Sequence, residues 1–287
     1  MRMPHRKSPG LKALLDRLPP GFVTDAAWLK HQGVDPRSIH EYVERGWLER
    51  VTHGVYRRPP PMQTSTTSET DWQAVLLSLQ WILAKDVHLG GLSALEARGH
   101  THYLSLSGPS RVYLYGDVPS WLRRMPIDTQ LVVRTRSLFG ADTQGIESTD
   151  QPSRQGSDAE GGPMLSPWRW PMRLSSPERA ILEALDELPN HESFHNIDMI
   201  FQGLTNLRPR RLTSLLQACR SVKVKRLFFV FADKHKHAWL NHVDKAVVDL
   251  GSGPRVLTKG GKLHPDYQIY VPADLAPAVK RGDEAYA

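Results

Sequence analysis

The sequence has a single cysteine and no long hydrophobic run. Because Cys219 is alone among 287 residues, neither a disulfide framework nor a cysteine-based zinc site can form within one chain. Nowhere do about 18 apolar residues follow one another, which excludes a conventional membrane-spanning helix. The basic start, MRMPHRKSPG, is not followed by the apolar run of a signal peptide. We therefore expect a cytoplasmic protein without a membrane partner.

Motifs that carry catalysis are also missing. There is no Gly-x-Ser-x-Gly elbow and no His-Glu-x-x-His, and Gly90-Gly91 lacks the later residues of a phosphate-binding loop. The histidines at 100 and 102, and those at 235, 237 and 242, have no carboxylate or thiol at ligand spacing. Cys219 falls in a predicted apolar helix and is interpreted as a buried structural thiol. We expect no metal, no cofactor and no enzymatic activity. A nucleic-acid enzyme targeted by its N-terminal region remains a distant alternative.

The charge is unevenly distributed along the chain. The net charge is +7, and residues 1–60 hold 11 Lys/Arg against 6 Asp/Glu, a net +5. Residues 61–169 have a net charge of −2 and residues 170–287 a net charge of +4. A basic end segment favours nucleic acid because binding releases counterions condensed on the phosphates. The same charge is equally compatible with plain solubility.

Residues 1–62 have the pattern of a winged helix-turn-helix. Leucines at helical spacing predict a first helix, which Pro19-Pro20-Gly21 ends. Thr24 is the predicted N-cap of a second helix over 25–31, closed by Gly33. Asp35 and Pro36 are good residues to begin a third helix. Two short helices joined by a glycine-containing turn are typical of this DNA-binding unit.

The third helix and the segment after it predict a recognition helix and a wing. Ile39, Tyr42 and Val43 would face inward. Residues 47–51 and 55–58 would form two strands around the turn 52–54, with Trp47 in the core. Base-edge contacts are assigned to residues at the start of the third helix, since these enter the major groove: Arg37, Ser38, His40 and Glu41. Phosphate or minor-groove contacts are assigned to Arg45, Arg50, His53, Arg57 and Arg58. The alternative is a small domain that contacts proteins.

The remainder predicts a mixed α+β region, so the fold class is α+β with an N-terminal winged helix-turn-helix. Predicted helices cover 72–84, 93–98, 176–188, 194–203, 209–219 and 222–240. Predicted strands cover 87–89, 111–115, 130–134, 168–174, 255–258 and 267–271. Residues 141–163, rich in Gly, Ser, Asp and Gln, predict a flexible insertion or linker. The predicted domains are therefore 1–62, 63–140, the insertion 141–163, and 164–287.

A second group of basic residues lies in the C-terminal part of the chain. It consists of Arg208, Arg210, Arg211, Lys223, Lys225 and Arg226. Such a group could extend a DNA-binding surface or bind an acidic partner. It could equally be the solvated face of helices whose other faces are apolar.

Several segments, in the same order, resemble one family. They are GFVTDAAWLKHQGVDPRSIHEYVERGWLERVTHGVYRRP, VHLGGLSALEARGHTHYL, LSSPERAILEAL, SVKVKRLFFVFADKHKHAW and DLGSGPRVLTKGGKLHPDYQIYVP. This order is similar to that of the AbiEi antitoxins of bacterial type IV toxin–antitoxin systems, which have a winged N-terminal domain and a C-terminal antitoxin domain. The insertion 141–163 has no counterpart in the resemblance.

The resemblance implies two functions. The winged helix would repress the protein's own operon by binding inverted repeats in the upstream DNA. The C-terminal region would neutralise an AbiEii-like nucleotidyltransferase toxin, expected to be encoded beside it. The alternative is a stand-alone winged-helix transcription regulator whose C-terminal region senses a ligand or dimerises.

Overall fold

The computed structural model describes residues 11–60, 70–100, 111–127, 129–149, 170–258 and 260–276, and shows a mixed α+β protein. The helices are α1 Leu11–Arg17, α2 Ala26–His31, α3 Pro36–Glu44, α4 Trp72–Leu77, α5 Gly91–Ala97, α6 Pro177–Asp186, α7 Phe194–Gly203, α8 Pro209–Ala218 and α9 Val222–His235. The strands are β1 Val23–Asp25, β2 Glu49–Thr52, β3 Val55–Arg57, β4 Val87–Leu89, β5 Arg111–Gly116, β6 Gln130–Arg134, β7 Ile146–Ser148, β8 Arg173–Ser175, β9 Arg255–Val256, β10 Lys262–His264 and β11 Ile269–Val271. A π-helix covers Ser78–Ile82, and 3₁₀ helices cover Ser120–Arg124 and Ala238–His242.

The chain divides into two compact units, each made of three separate stretches. Unit 1 takes its described residues from Met1–Leu89, Ser107–Thr135 and Glu147–Leu174. Unit 2 takes its described residues from Gly90–Leu106, Arg136–Ile146 and Ser175–Ala287. The predicted boundaries at 62, 140 and 163 do not coincide with this division, because they assume that each domain is one continuous segment.

The N-terminal part of unit 1 is a winged helix-turn-helix, as predicted. Its three-stranded sheet has the order β1-β3-β2, and both strand pairs are antiparallel. The predicted cap of α2 is wrong by one residue, since Asp25 accepts the hydrogen bond from the Trp28 amide at 2.8 Å. Thr24 is buried in β1, opposite Tyr56. The strand therefore continues up to the helix, which the sequence pattern did not reveal.

The start of α3 agrees with the prediction. The Asp35 carboxylate accepts hydrogen bonds from the backbone amides of Arg37 and Ser38, both at 2.9 Å, and Pro36 occupies the first turn. The hydrogen bonds to Ser38 lower the pKa of Asp35 below its ordinary value. Gly33 has a φ of +83°, the left-handed conformation expected where α2 ends.

The winged helix shares its apolar core with α4 and the π-helix. Leu14, Phe22 and Leu48 are fully buried in one cluster with Leu77 and Ile82. A hydrogen bond reinforces this packing, because the Val23 amide donates to the Ser78 hydroxyl at 3.0 Å. The predicted helix 72–84 is thus present, as α4 followed by a π-turn. Trp47, a predicted core residue, is half-buried and packs on Tyr42 with 5.6 Å between ring centroids.

A five-stranded sheet completes unit 1, in the order β6-β5-β4-β8-β7. β5 is antiparallel to β4 and parallel to β6, and β4 is parallel to β8. The predicted insertion begins within this sheet, since β7 lies inside it. Residues 150–163 of that insertion, residues 168–169 of the predicted strand 168–174, and His102 lie outside the described residues.

Unit 2 is built on α6, which packs against α5, α8 and α9. Ser176 caps α6 as predicted, by accepting from the Arg179 amide. The predicted helix 222–240 ends earlier, at His235, where Lys236 adopts a left-handed φ of +51°. Strand β10 was not predicted, because Lys262–His264 is short and has no strong alternation; it pairs antiparallel with β11. In the described part of the chain, no helix is long and apolar enough to cross a membrane.

Candidate nucleic-acid interface

The N-terminus of α3 presents one free arginine. Arg37 is exposed, and its guanidinium has no hydrogen-bond or ion-pair partner among the described residues. Ser38 is half-buried, and its hydroxyl donates to the Asp35 carboxylate at 2.9 Å. Of these two predicted base-contact residues, Arg37 is therefore ready to bind a ligand, whereas Ser38 is held by the helix cap.

The rest of the exposed face of α3 carries both signs of charge. His40 lies 3.2 Å from the Glu44 carboxylate, and Arg45 lies 2.6 Å from that of Glu41, both one helical turn apart. The Arg45 guanidinium also lies 5.2 Å from the centroid of Trp47. Exposed pairs of this kind are worth at most about 1 kcal/mol, so a ligand could replace them cheaply. They nevertheless leave Arg37 as the cation of α3 without a carboxylate partner among the described residues.

The wing offers two more free basic groups. Arg50 on β2 and His53 in the turn are exposed, with no side-chain partner in the part of the chain that the structure describes. Gly54 follows with a φ of +73°, which closes the tight connection between β2 and β3. Arg37, Arg50 and His53 are thus the members of the predicted set that are exposed and have no side-chain partner in the described ranges.

Arg57 and Arg58 do not share this exposure. Arg57 is only 8% exposed, and its guanidinium donates to Glu49 at 2.7 and 3.1 Å and to the Thr70 hydroxyl at 3.3 Å. Arg58 donates to the carbonyls of Leu15 and Leu18 at 2.6 and 3.1 Å, at the end of α1. A cation at a helix C-terminus stabilises the exposed carbonyls there. Both guanidinium groups are used inside the unit, which argues against the phosphate contacts assigned to them.

Glu49 is the residue that the sequence interpretation overlooked in this region. It lies directly opposite Arg57 on the neighbouring strand, and opposite charges in that position stabilise each other. The signal was available in principle, since an eight-residue separation across a tight turn brings the two positions together. Predicting this pair requires the correct register of the hairpin, and the irregularity between Arg50 and Thr52 shifts that register.

The second basic group does not form one surface. Lys225 and Arg226 are 6% and 2% exposed, so the prediction is wrong for these two residues. Arg226 donates to the backbone carbonyls of Leu250, Gly253 and Gln268, which attaches the C-terminal strands to α9. The other members lie at separate positions on and before α8 and at the start of α9. Arg208 and Arg210 are exposed, Arg211 lies 3.8 Å from Glu178, and Lys223 lies 3.2 Å from Asp186.

Other reactive side chains of the described residues are engaged in structure. Burial raises the pKa of the Cys219 thiol to about 11, so the thiolate is scarce at neutral pH. His235 lies 2.8 Å from the Asp198 carboxylate, and His237 lies 2.7 Å from the Phe201 carbonyl. Within the described ranges, no group of three His, Cys, Asp or Glu side chains is placed to hold a metal ion.

Two family models match almost the whole length of the chain. Residues 109–272 match the model described as "Transcriptional regulator, AbiEi antitoxin, Type IV TA system". Residues 7–106 match the model of the "AbiEi antitoxin N-terminal domain", also described as a transcriptional regulator. No curated protein matches the sequence.

The fold is similar to that of a solved structure, the RV2827C protein from Mycobacterium tuberculosis. The two chains are 17% identical and superpose with a TM-score of 0.52, over 93% of this chain and 92% of the other. At this identity the likeness concerns the fold alone. The superposed part includes residues of both units.

Proposed function

The chain belongs to the AbiEi antitoxin family of type IV toxin–antitoxin systems, and from that premise we propose that it represses its own operon through the winged helix. The observation that carries the proposal is the set of unpaired basic groups at the start of α3 and on the wing. In winged helices these two elements approach the major groove and the adjacent backbone. Arg37 is the residue we assign to a base edge, and Arg50 and His53 are assigned to phosphates or the minor groove.

The recognition chemistry follows from the groups available. The Arg37 guanidinium can donate two parallel hydrogen bonds to the O6 and N7 atoms of a guanine. His40, Glu41 and Arg45 are held in exposed ion pairs, which a base or a phosphate can replace. Glu41, once separated from Arg45, could accept from the amino group of a cytosine. Inverted repeats in the operator would be read by two copies of the winged helix.

We further propose that the chain neutralises a nucleotidyltransferase-like toxin encoded beside it. The family supports this assignment, and unit 2 is the part of the chain we expect to be responsible. The experiment is co-expression of the chain with the neighbouring nucleotidyltransferase-like gene, compared with that gene alone. Restored growth supports an antitoxin. Unchanged toxicity contradicts the proposed antitoxin activity and does not affect the proposed role as a transcription regulator.

DNA binding is tested by fluorescence anisotropy of the purified protein with its own upstream DNA and with a scrambled duplex, over a series of salt concentrations. Preference for the native repeat that persists at high salt supports a sequence-specific repressor. Equal and steeply salt-dependent binding to both duplexes, or no binding, contradicts operator recognition.

A further inference from the structure

The segment 120–127 lies beside the winged helix although it is about 65 residues further along the chain. Its 3₁₀ helix, Ser120–Arg124, contains the buried Trp121, whose indole N–H donates to the Asp25 carboxylate at 3.3 Å. Asp25 caps α2 and pairs with Val55, at the start of β3. The Ala26 amide next to it donates to the Gly54 carbonyl at 2.9 Å. The segment is thereby fastened close to the turn of the wing.

A second connection fixes the other end of the segment. The Thr70 amide donates to the Pro126 carbonyl at 3.0 Å, and Thr70 forms an isolated β-bridge with Ile127. The Thr70 hydroxyl in turn accepts from the guanidinium of Arg57, in β3. Two connections, one to the N-cap of α2 and one to β3, therefore hold residues 120–127 in a fixed place on the winged helix.

Between these two connections lie Arg123 and Arg124. Both side chains are exposed, and neither has a hydrogen-bond or ion-pair partner among the described residues. A 3₁₀ helix has three residues per turn and rises about 2 Å per residue, so both arginines lie within about 6 Å of Trp121 along its axis. Arg124 follows Trp121 by one turn, on the same side of the helix. Two cations from outside the first sixty residues, without a partner in the described part of the chain, therefore lie in a segment fastened to the N-cap of α2 and to β3.

These arginines compensate for what the winged helix lacks. Arg57 and Arg58 are committed to internal contacts, and on the exposed face of α3 Glu44 pairs with His40 and Glu41 with Arg45, so Arg37 is the cation of α3 left without a partner in the described structure. Nonspecific affinity for duplex DNA depends on the number of phosphates that a protein neutralises. We propose that Arg123 and Arg124 form an additional phosphate-binding site, which contacts the backbone of duplex DNA next to the wing. This inference rests on the proposed DNA binding and extends the interface beyond the winged helix.

The test compares the unaltered full-length protein with the double variant Arg123→Ala/Arg124→Ala by anisotropy over a salt series. Each lost phosphate contact lowers the slope of log K against log salt by about one unit, so we expect a slope about two units shallower. The preference for the upstream repeat over the scrambled duplex should stay the same, because phosphates carry no sequence information. The double variant Arg123→Lys/Arg124→Lys should keep the original slope.

A matched control removes two other exposed charges, with Lys85→Ala/Lys262→Ala, and should leave the slope unchanged. Circular dichroism and melting curves establish that each variant is folded. An unchanged slope in Arg123→Ala/Arg124→Ala, or an equal decrease in the control, overturns the phosphate site while the proposed repressor stands. Failure of the unaltered protein to bind DNA overturns the proposed function and this site with it.

Discussion

At the scale of single residues, Arg37 and Arg57 carry the same group in opposite environments. Arg37 is exposed on the first turn of α3 without a partner in the described structure. Arg57 is buried against Glu49 and Thr70, between the wing and the segment after it. Composition and spacing make the two residues look alike, since both are basic residues of a winged helix. Only the strand register and the distant Thr70 show that Arg57, unlike Arg37, is held in internal hydrogen bonds.

Replacing Arg37 with alanine should affect sequence recognition and leave the fold intact. Because a bidentate contact to a base discriminates by about 1–3 kcal/mol, we expect Arg37→Ala to weaken binding to the upstream repeat by that amount. Preference at one base pair should relax. Anisotropy against a set of duplexes, each with one base pair changed, measures both effects. Lys85→Ala serves as the control, and unaltered preference in Arg37→Ala would mean that α3 is not the reading helix.

Replacing Arg57 with alanine should instead reduce stability. The substitution removes a buried guanidinium that makes three hydrogen bonds, and it leaves Thr70 and Glu49 without that partner. Losses of this kind lower the free energy of unfolding by about 1–3 kcal/mol. Urea unfolding followed by tryptophan fluorescence measures the change, because all tryptophans except Trp239 belong to unit 1. Arg50→Ala, which removes an exposed arginine of the same hairpin, should lower the salt slope and keep the stability. The reverse outcome for the two variants would restore Arg57 as a phosphate contact.

At the scale of elements, the π-helix is joined to the winged helix through one hydroxyl. Ser78 is fully buried, accepts from the Val23 amide at 3.0 Å, and donates to the Ala74 carbonyl at 2.6 Å. β1 is an edge strand of its sheet. The Ser78 hydroxyl therefore accepts the hydrogen bond of the Val23 amide, in place of the carbonyl of a neighbouring strand. The apolar pattern of 72–84 predicted a helix but gave no sign of this contact, which depends on residues 55 positions apart.

We expect Ser78→Ala to lower the free energy of unfolding of unit 1 by about 1–3 kcal/mol. The substitution leaves the buried Val23 amide without an acceptor, and an unsatisfied buried donor costs about that much. The change is measured by urea unfolding with tryptophan fluorescence. Ser214→Ala is the control, because the Ser214 hydroxyl bonds only the Arg210 carbonyl on its own helix, in unit 2. Equal midpoints for Ser78→Ala and the unaltered protein would show that Val23 finds another acceptor.

His264, at the end of β10, should make unit 2 less stable in mild acid. Burial lowers its pKa below the ordinary value of 6.5, against the opposing influence of Asp266 and Asp233. Since the unfolded chain binds the proton first, stability is complete above about pH 6.5 and falls as the pH drops through that value. Urea midpoints at pH 7.5 and 5.5 should therefore differ more for the unaltered protein than for His264→Gln. An equal drop in both would show that His264 does not contribute.

The elements were predictable to the extent that local residues determine them. Asp35 with Pro36, and Ser176 with Pro177, mark helix starts that need no distant partner. The cap of α2 was misplaced because β1 exists only through its pairing with β3. The three-residue β10 likewise depends on β11. Short strands in which apolar and polar residues do not alternate cannot be predicted from their own sequence.

At the scale of the whole molecule, the winged helix is not separable from the rest of unit 1. Its core includes Ala74, Leu77 and Ile82, which follow the predicted domain boundary at residue 62. The sequence shows where a helix-turn-helix motif ends, but it does not show which later helix covers its apolar face. For this reason the sequence predicts the fold class but does not show that residues after 62 share the core of the winged helix.

Deletion of residues 1–62 should therefore disrupt unit 1 as well as removing α3, the helix proposed to contact DNA bases. The deletion exposes the apolar side chains of α4 and the π-helix, so we expect aggregation and loss of a cooperative melting transition. Size-exclusion chromatography and circular dichroism measure these outcomes. Full-length Arg37→Ala/Arg50→Ala is the matched control, which should stay folded while binding DNA poorly. A monomeric, cooperatively melting truncated chain would contradict the shared core.

The alternation of the chain between its two units has a consequence for its synthesis. Between described residues, the chain passes from one unit to the other at residues 89–90, 135–136, 146–147 and 174–175. On the ribosome, the five-stranded sheet of unit 1 cannot be completed until β8 has emerged, long after the recognition helix has been made. A chain released before residue 173 therefore lacks one strand of this sheet, and if the proposed DNA binding needs the complete sheet, only chains translated past their midpoint would bind DNA.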